Sequence, residues 1–194
     1  MNFILASSNG HKAEELNELL AAGMLSISSS PEKYDVVEDG NTFQENAYKK
    51  AKAYFDKLGK PTVADDSGLV IPNRTDILGV QSARYAPDLP EYKNKINYLL
   101  EDIKDLKDDQ RSAYFACYLC FYISPDEVYY FEGRVHGTIG HSPQGEEGFG
   151  YDPIFYPDGT SGKSMAQVME WKMKNSHRAK ACKSAVSFFK EYLS

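Results

Sequence analysis

The chain has little cysteine, and what it has is poorly placed for a disulfide framework. Only three cysteines occur in 194 residues, Cys117, Cys120 and Cys182, and an odd number does not suit a stapled secreted domain. The spacing of Cys117 and Cys120 matches C-x-x-C, but both fall in a strand-like aromatic run, where residues three apart face opposite sides of a sheet. The sequence therefore predicts buried structural cysteines.

Long apolar runs and an excess of basic charge are also lacking. No stretch approaches the ~18 consecutive apolar residues of a membrane helix, and residues 1–6 lack the charged start of a signal peptide. Lys and Arg number 22 against 28 Asp and Glu, a formal net charge of -6, which disfavours a broad nucleic-acid or acidic-membrane surface. We expect a cytoplasmic protein that binds neither nucleic acid nor membranes, and that holds any phosphate with a few placed cations.

Aromatic residues, by contrast, are plentiful. The chain holds 14 Tyr and 10 Phe, which favours a folded protein with concave apolar surfaces over a disordered one. Its length suffices for a proper hydrophobic core. We expect one domain over residues 1–194.

The most distinctive segment is Ala64-Asp-Asp-Ser-Gly-Leu69. Residues 62–64 read as the end of one strand and 69–71 as the start of another, which places Asp65 and Asp66 where the backbone leaves a sheet. Neighbouring strand residues point to opposite faces, so one acid is expected to face a cleft or a metal and the other to be held by hydrogen bonds. A plain Asp-Ser-Gly turn is the alternative.

Near the N-terminus, a short strand over residues 2–6 leads into a small polar loop and a helix predicted from about Lys12 to Leu20, with Glu14 and Glu15 in its first turn. Unpaired backbone N–H groups at such a junction bind anions, and Lys12 adds a positive charge. A capped helix with a solvated lysine is an equal alternative. The candidate phosphate-binding residues of this loop are Ser7, Ser8, Asn9 and Lys12.

A second helix is predicted from Thr42. Its apolar stripe consists of Phe43, Ala47, Ala51, Tyr54, Phe55 and Leu58. Lys50 falls at the edge of that stripe, where a helix can deliver an ammonium into a cleft, whereas Lys49 and Lys52 lie on the far side. Glu38 and Asp39 precede the helix, and we expect that their side chains can reach a cleft.

The C-terminal half contains one glycine-rich loop and two further regions of interest. Glycines around Phe149, Tyr151 and Asp152 let the backbone approach a ligand, and an aromatic ring there can stack on a flat base. The last helix, predicted to start near residues 175–176, carries His177 and Arg178 at its N-terminus and should bury Ala181, Ala185, Phe188, Phe189 and Tyr192. Before this loop we predict a helix over 89–102 and two strands, over 112–123 and 127–135.

Six motifs, in this order along the chain, resemble the inosine triphosphate pyrophosphatase family, also called dITP/XTP or non-canonical purine NTP pyrophosphatases. They are Ser7-Ser8-Asn9 with Lys12, Glu45-Asn46-Ala47 with Lys50-Ala51, Asp65-Asp66-Ser67-Gly68-Leu69, Ser82-Ala83-Arg84-Tyr85, Gly148-Phe149-Gly150-Tyr151-Asp152-Pro153, and Ser176-His177-Arg178. The resemblance runs from residue 2 to about residue 190. Ser8 departs from it, since many relatives have glycine there.

The resemblance implies an elongated α/β fold, with two lobes around a central twisted mixed sheet, flanking helices, an active-site cleft between the lobes, and a homodimer. It also implies Mg2+-dependent hydrolysis of a purine nucleoside triphosphate to the monophosphate and pyrophosphate. Substrates would be ITP, dITP and XTP.

Carried over by position, Asp66 would activate water, and Asp66 and Glu38 would bind Mg2+. The triphosphate would be held by residues 7–12, Lys50, Ser67 and Lys172. The base and sugar would be enclosed by Phe149, Gly150, Tyr151, Asp152, His177 and Arg178.

Two alternatives remain at this point. One keeps the fold and the pyrophosphatase chemistry but acts on other modified nucleotides, and would turn over pyrimidine triphosphates faster than dITP or XTP. The other is a nucleotide-binding module without catalysis, which the presence of Asp66, Lys12 and Lys50 disfavours.

Overall fold

A computed structural model describes residues 2–7, 9–21 and 25–192 of the chain. The predicted phosphate-binding Ser8 lies outside these residues. Along the chain the structure has β1 Asn2–Leu5, α1 Gly10–Ala21, β2 Ser26–Ser29, α2 Phe43–Leu58, β3 Thr62–Val70, α3 Tyr92–Asp102, β4 Ser112–Ser124, β5 Glu127–Ile139, β6 Phe155–Pro157, α4 Met169–Asn175 and α5 His177–Tyr192.

The six strands form one mixed sheet with helices beside it, which confirms the predicted α/β class. Their order is β2-β1-β3-β4-β5-β6. Strand β1 pairs in parallel with β2 and β3, whereas β5 and β6 are antiparallel. Within the described part of the chain, no helix has the length and apolarity needed to cross a membrane.

The chain divides into two compact units. The first comprises Met1–Ser67, Cys117–Arg134 and His177–Ser194, and the second comprises Gly68–Ala116 and Val135–Ser176. The sequence predicted a single domain over 1–194, and that expectation remains a prediction.

Each unit has its own apolar core. In the first, Phe3, Phe121 and Phe189 pack with ring centroids 4.9 to 5.4 Å apart, and Cys117 and Cys182 belong to the same cluster. In the second unit, the core includes Leu69, Leu99, Ile154 and Phe155. All three cysteines are buried and free, as predicted.

Helix α2 shows why the sequence folds as it does near the site. The Thr42 side chain accepts a hydrogen bond from Glu45 N–H and so caps the first turn, and Gly59 ends the helix with a left-handed φ of 61°. The predicted stripe faces inward, with Ala47, Ala51 and Tyr54 buried. This face fixes which lysines the helix turns towards the sheet.

Three local predictions were wrong. The acidic segment is not a turn between two strands, because β3 runs without interruption from Thr62 to Val70 through both aspartates. Helix α1 starts at Gly10, before the predicted start, so its first turn contains no acidic residue. Tyr192, predicted to be buried, is 38% exposed at the last turn of α5.

Candidate active site

Strand β3 presents its two aspartates to different partners. Asp65 Oδ2 lies 3.3 Å from Lys12 Nζ and 3.6 Å from Arg178 Nη2. Asp66 Oδ2 accepts a hydrogen bond of 3.1 Å from Asn46 Nδ2. This separation follows from the alternation of side chains along a strand, and it confirms that the two acids have different environments.

The same separation gives the two carboxyl groups opposite pKa shifts. Burial alone would raise the pKa of Asp65, but Lys12, Arg178 and Lys50 hold it well below its usual range. For Asp66, burial dominates over the attraction of Lys50 and Lys12 and raises the pKa to about 6. Asp65 is therefore a permanent buried anion, whereas Asp66 is a carboxylate near neutral pH that can still accept a proton.

Lysine 50 is the α2 lysine that lies beside the acids. Its Nζ lies 2.9 Å from Glu38 Oε2, and its side chain is 12% exposed, against 41% for Lys49 and 43% for Lys52. Burial opposes its charge, but Asp65, Glu38 and Asp66 together raise its pKa. Lys50 thus remains an ammonium beside three carboxylates.

A cavity of about 300 Å³ opens beside this group. Its lining includes Lys50 and Glu38 together with Tyr34 and Tyr54. Both charged side chains therefore border open space on the first unit.

The loop before α1 is ordered by its own side chains. Asn9 Oδ1 accepts from Lys12 N–H at 3.2 Å, as an N-cap residue does, and Ser7 Oγ accepts from Asn9 N–H at 3.2 Å. The loop leads into the helix that carries Lys12, whose Nζ contacts Asp65. A strand, a polar loop and a helix N-terminus are therefore adjacent in this unit, as the sequence predicted.

Arg178, at the start of α5, is the centre of a buried ion cluster. Its Nη1 lies 2.5 Å from Glu15 Oε2, and its Nη2 donates to Ser67 Oγ at 3.0 Å. The Ser67 hydroxyl in turn donates to Asp65 at 3.0 Å. His177 precedes Arg178 and is 5% exposed.

The remaining predicted residues lie in the second unit. Lys172 Nζ, 1% exposed in α4, contacts Asp152 Oδ2 at 2.8 Å and lies 4.5 Å from the centroid of the Phe149 ring. Asp152 Oδ2 also accepts from Phe149 N–H at 2.9 Å, while the Tyr151 hydroxyl donates to Ser82 O at 3.0 Å. The structure thus brings Lys172, Phe149 and Asp152 together around one buried ion pair.

The glycine at the start of this loop has a clear steric reason. Gly148 has φ of +77°, and a Cβ there would lie 2.3 Å from Asp152 Oδ2. Only glycine lets the backbone turn over the aspartate that Lys172 holds.

Two residues near the aspartates were missed as site residues by the sequence analysis. Asn46 was part of a quoted motif, and Glu15 was noted only for its place in a helix, and neither was given a role. Asn46 sits four residues before Lys50 on the same helix, a spacing that predicts a shared face. Glu15 pairs with a residue 163 positions away, which no local pattern indicates.

The side chains predicted to hold a metal ion are Asp66 and Glu38. Among the residues that the structure describes, no group of three or more His, Cys, Asp or Glu side chains is placed to hold a metal ion. Mg2+ often binds proteins through one or two carboxylates and completes its shell with waters and substrate phosphates. Asp66 and Glu38, which both act on the charge of Lys50, fit that donor set.

A family model identifies the chain. The model of the Ham1 family matches residues 3–188. The chain belongs to the Ham1 family.

Curated relatives match almost the whole chain. It is 38% identical to the dITP/XTP pyrophosphatase of Streptomyces coelicolor over 98% of both chains. It is 40% identical to the dITP/XTP pyrophosphatase of Bacillus subtilis, over 93% of this chain and 92% of the relative. Among solved structures, a HAM1 protein from Coxiella burnetii matches with a TM-score of 0.89 at 33% identity, over 98% of this chain and 99% of that one.

Proposed function

We propose that this Ham1 family chain is a nucleoside triphosphate pyrophosphatase that acts on non-canonical purine nucleotides. It would hydrolyse ITP, dITP or XTP to the monophosphate and pyrophosphate, and so clear deaminated purines from the nucleotide pool. The names of the full-length relatives support the reaction. The single observation that carries it on this chain is the buried pair Asp65–Asp66 beside three cations, Lys12, Lys50 and Arg178.

Asp66 is the residue suited to activate water. A general base works best when its pKa lies near the working pH. In the metal-free chain burial raises the pKa of Asp66 to about 6, and a bound cation would lower it and so favour the carboxylate. At neutral pH its carboxylate can take a proton from a water molecule, at an oxygen that Asn46 Nδ2 orients. Asp65 has no such capacity, because its cations keep its pKa low.

The cations of the first unit suit the polyphosphate. Lys12 stands at a helix N-terminus and Lys50 beside the cavity, so both can neutralise negative charge that develops on a leaving pyrophosphate. The family resemblance supports residues 7–12 and Ser67 as further phosphate contacts. Catalysis of this kind depends mostly on positioning and electrostatics.

We infer that Mg2+ is the cofactor, held by Asp66 and Glu38. When bound, the ion supplies Lewis-acid charge neutralisation on phosphate oxygens. The carboxylate chemistry of the site supports this assignment, because hard divalent cations prefer oxygen ligands.

The family resemblance supports contacts from six residues to the base and sugar of the substrate. They are Phe149, Gly150, Tyr151, Asp152, His177 and Arg178. Hydrogen-bond donors facing position 6 of a purine favour a keto oxygen, whereas an amino group there would leave a buried donor unpaired at roughly 1–3 kcal/mol. Selection of inosine and xanthosine over adenosine nucleotides follows from that cost. We further propose a homodimer in the cytoplasm, where nucleotide pools are used; the family resemblance supports the dimer.

Product analysis tests the reaction. The wild-type chain incubated with ITP and Mg2+ should release IMP and pyrophosphate, resolved by anion-exchange chromatography, and Asp66→Asn should release neither. Inosine diphosphate and orthophosphate as products would reject a pyrophosphatase. Binding of ITP without any product would favour a binding module instead.

A further inference from the structure

We propose that Asn46 is a positioning residue that sets the spacing between the two acids assigned to the metal, Asp66 and Glu38. The inference rests on the proposed metal-dependent function and adds a residue that acts through those carboxylates. The inference is based on the buried side-chain amide of Asn46, which contacts both the strand that bears Asp66 and the segment that bears Glu38.

Both polar atoms of the Asn46 side chain are used within the first unit. The residue is 0% exposed. Its Nδ2 donates to Asp66 Oδ2 at 3.1 Å, and its Oδ1 accepts from Gly40 N–H at 2.8 Å. The amide therefore bridges β3 and the segment that carries Glu38, two residues before Gly40.

Gly40 approaches this amide too closely for any other residue. A Cβ at position 40 would lie 2.6 Å from Asn46 Oδ1 and 2.8 Å from Glu45 Cβ. The requirement for glycine here comes from contact with the amide and its neighbour. The backbone at Gly40 therefore packs directly against the Asn46 side chain.

One helical turn later, α2 makes a second contact with the same segment. Lys50 Nζ lies 2.9 Å from Glu38 Oε2, and residues four apart lie on one face of a helix. Asn46 therefore fixes the backbone near Glu38, while Lys50 contacts its carboxylate. Helix α2 acts as the rigid element between the two acids.

A purely structural role would be to attach α2 to β3, but another buried bond already joins them. Thr62 Oγ1, in β3, donates to Ala51 O, in α2, at 2.7 Å. That bond touches neither acid. Thr62→Val therefore removes one buried hydrogen bond between the same two elements and is the matched control for Asn46→Ala.

The test measures metal binding directly. Mn2+ is titrated into nucleotide-free wild type, Asn46→Ala, Gly40→Ala and Thr62→Val, and free Mn2+ is read by electron paramagnetic resonance. Loss of a residue that orients metal ligands typically weakens metal binding about 10- to 100-fold, and we expect that for Asn46→Ala and Gly40→Ala. Thr62→Val should bind Mn2+ as the wild type does.

Steady-state kinetics supply a second readout. The Mg2+ concentration for half-maximal pyrophosphate release from ITP should rise in Asn46→Ala by the same factor as the Mn2+ dissociation constant. The KM for ITP at saturating Mg2+ should not change, because the Asn46 side chain is hydrogen-bonded to Asp66 and Gly40, neither of which is assigned to the base. Circular dichroism melting shows which variants are folded. If Asn46→Ala is not folded, the Mn2+ affinity of Gly40→Ala decides whether the contact between Asn46 and Gly40 supports metal binding.

The outcomes separate this inference from the proposed function. Wild-type affinity for Mn2+ in the folded Asn46 and Gly40 variants would overturn the inference, as would an equal loss in Thr62→Val or a wild-type chain that binds no Mn2+. A wild-type chain that binds Mn2+ but hydrolyses no ITP would reject the proposed function, while the Mn2+ comparison would still decide the role of Asn46.

Discussion

At the scale of single residues, two neighbouring aspartates differ because of what surrounds them. Asp65 is 1% exposed with Lys12 and Arg178 beside it, and Asp66 is 6% exposed with one amide donor from Asn46. The sequence predicted that their roles would diverge. It could not predict which cation each would meet, because Lys12 and Arg178 come from distant parts of the chain.

We expect opposite effects on stability from removing the two charges. Asp65→Asn should destabilise the chain by about 3 kcal/mol at pH 7.5, because it leaves buried cations short of a partner. Asp66→Asn should stabilise it by up to about 3 kcal/mol, since a shift from 3.8 to about 6 is a penalty on the charged form. Urea unfolding with EDTA present measures both, and equal losses in the two variants would contradict the assignment.

The pH dependence of stability has a definite sign for Asp66. Its pKa is higher in the folded chain, about 6, than its ordinary value of 3.8, so the folded state binds more protons between those values. The free energy of unfolding contributed by Asp66 therefore falls as pH rises through that window. The difference in stability between Asp66→Asn and the wild type should accordingly grow from about pH 4 to pH 6 and then level off, and a constant difference would show that Asp66 titrates normally.

The buried pair of the second unit gives another residue-scale prediction. Lys172→Met removes the cation from Asp152, which is itself buried, and should cost roughly 3–5 kcal/mol of stability. Lys174→Met, exposed on the same helix, should change stability by less than about 0.5 kcal/mol. Thermal melting compares the two, and indistinguishable melting temperatures would show that the pair is not formed in solution.

At the scale of elements, helix α2 was predictable and the central strand was not. A capping threonine, an apolar stripe and a terminal glycine predict helix α2, and all three are local signals. The segment 65–68 contains Asp, Ser and Gly, which favour turns, yet pairing within the sheet keeps it in β3. Tertiary contacts determined the structure there, and such contacts are invisible in a local pattern.

Strand β5 and helix α5 meet at a glycine. A Cβ on Gly133 would lie 2.0 Å from His177 O and 2.6 Å from Ala181 N, both backbone atoms. Gly133→Ala must therefore displace the start of α5, and with it Arg178. We expect a loss of at least about 3 kcal/mol of stability, beyond the usual range for a point mutation.

A second glycine provides the control for this prediction. Gly59 ends α2 with φ of +61° and open space around its Cβ position, so Gly59→Ala should cost only about 1 kcal/mol for the left-handed backbone. Chemical denaturation of both variants checks the order. An equal loss in the free energy of unfolding for the two variants would show that the backbones of β5 and α5 can move apart at little cost.

At the scale of the whole molecule, the mixed sheet and the Ham1 family membership agree with the fold class drawn from the sequence. The family motifs carried that prediction, since composition and periodicity predicted only individual strands and helices, an anion loop and an acidic segment. The ion cluster of Glu15, Arg178, Ser67 and Asp65 emerges only once the fold joins the two ends of the chain.

The proposed homodimer is a prediction about the whole molecule. Sedimentation equilibrium should return twice the mass of the single chain at micromolar concentration. The mass of one chain across the whole concentration range would contradict the dimer, and it would leave the chemistry of the first unit untouched.

The central claim is the choice of substrate. The decisive measurement is kcat/KM for pyrophosphate release from ITP, XTP, dITP, ATP, GTP and dTTP with Mg2+, beside Asp66→Asn as the inactive control. Our account predicts that the first three exceed the rest and that the substitution abolishes all activity. The reading of the 6-keto oxygen accounts for the low rate expected on ATP, whereas the low rate expected on GTP, which also carries a 6-keto oxygen, is implied by the family resemblance. Equal turnover of all six would leave a hydrolase without the proposed reading of the base, and faster turnover of dTTP than of dITP or XTP would contradict the assigned substrate class.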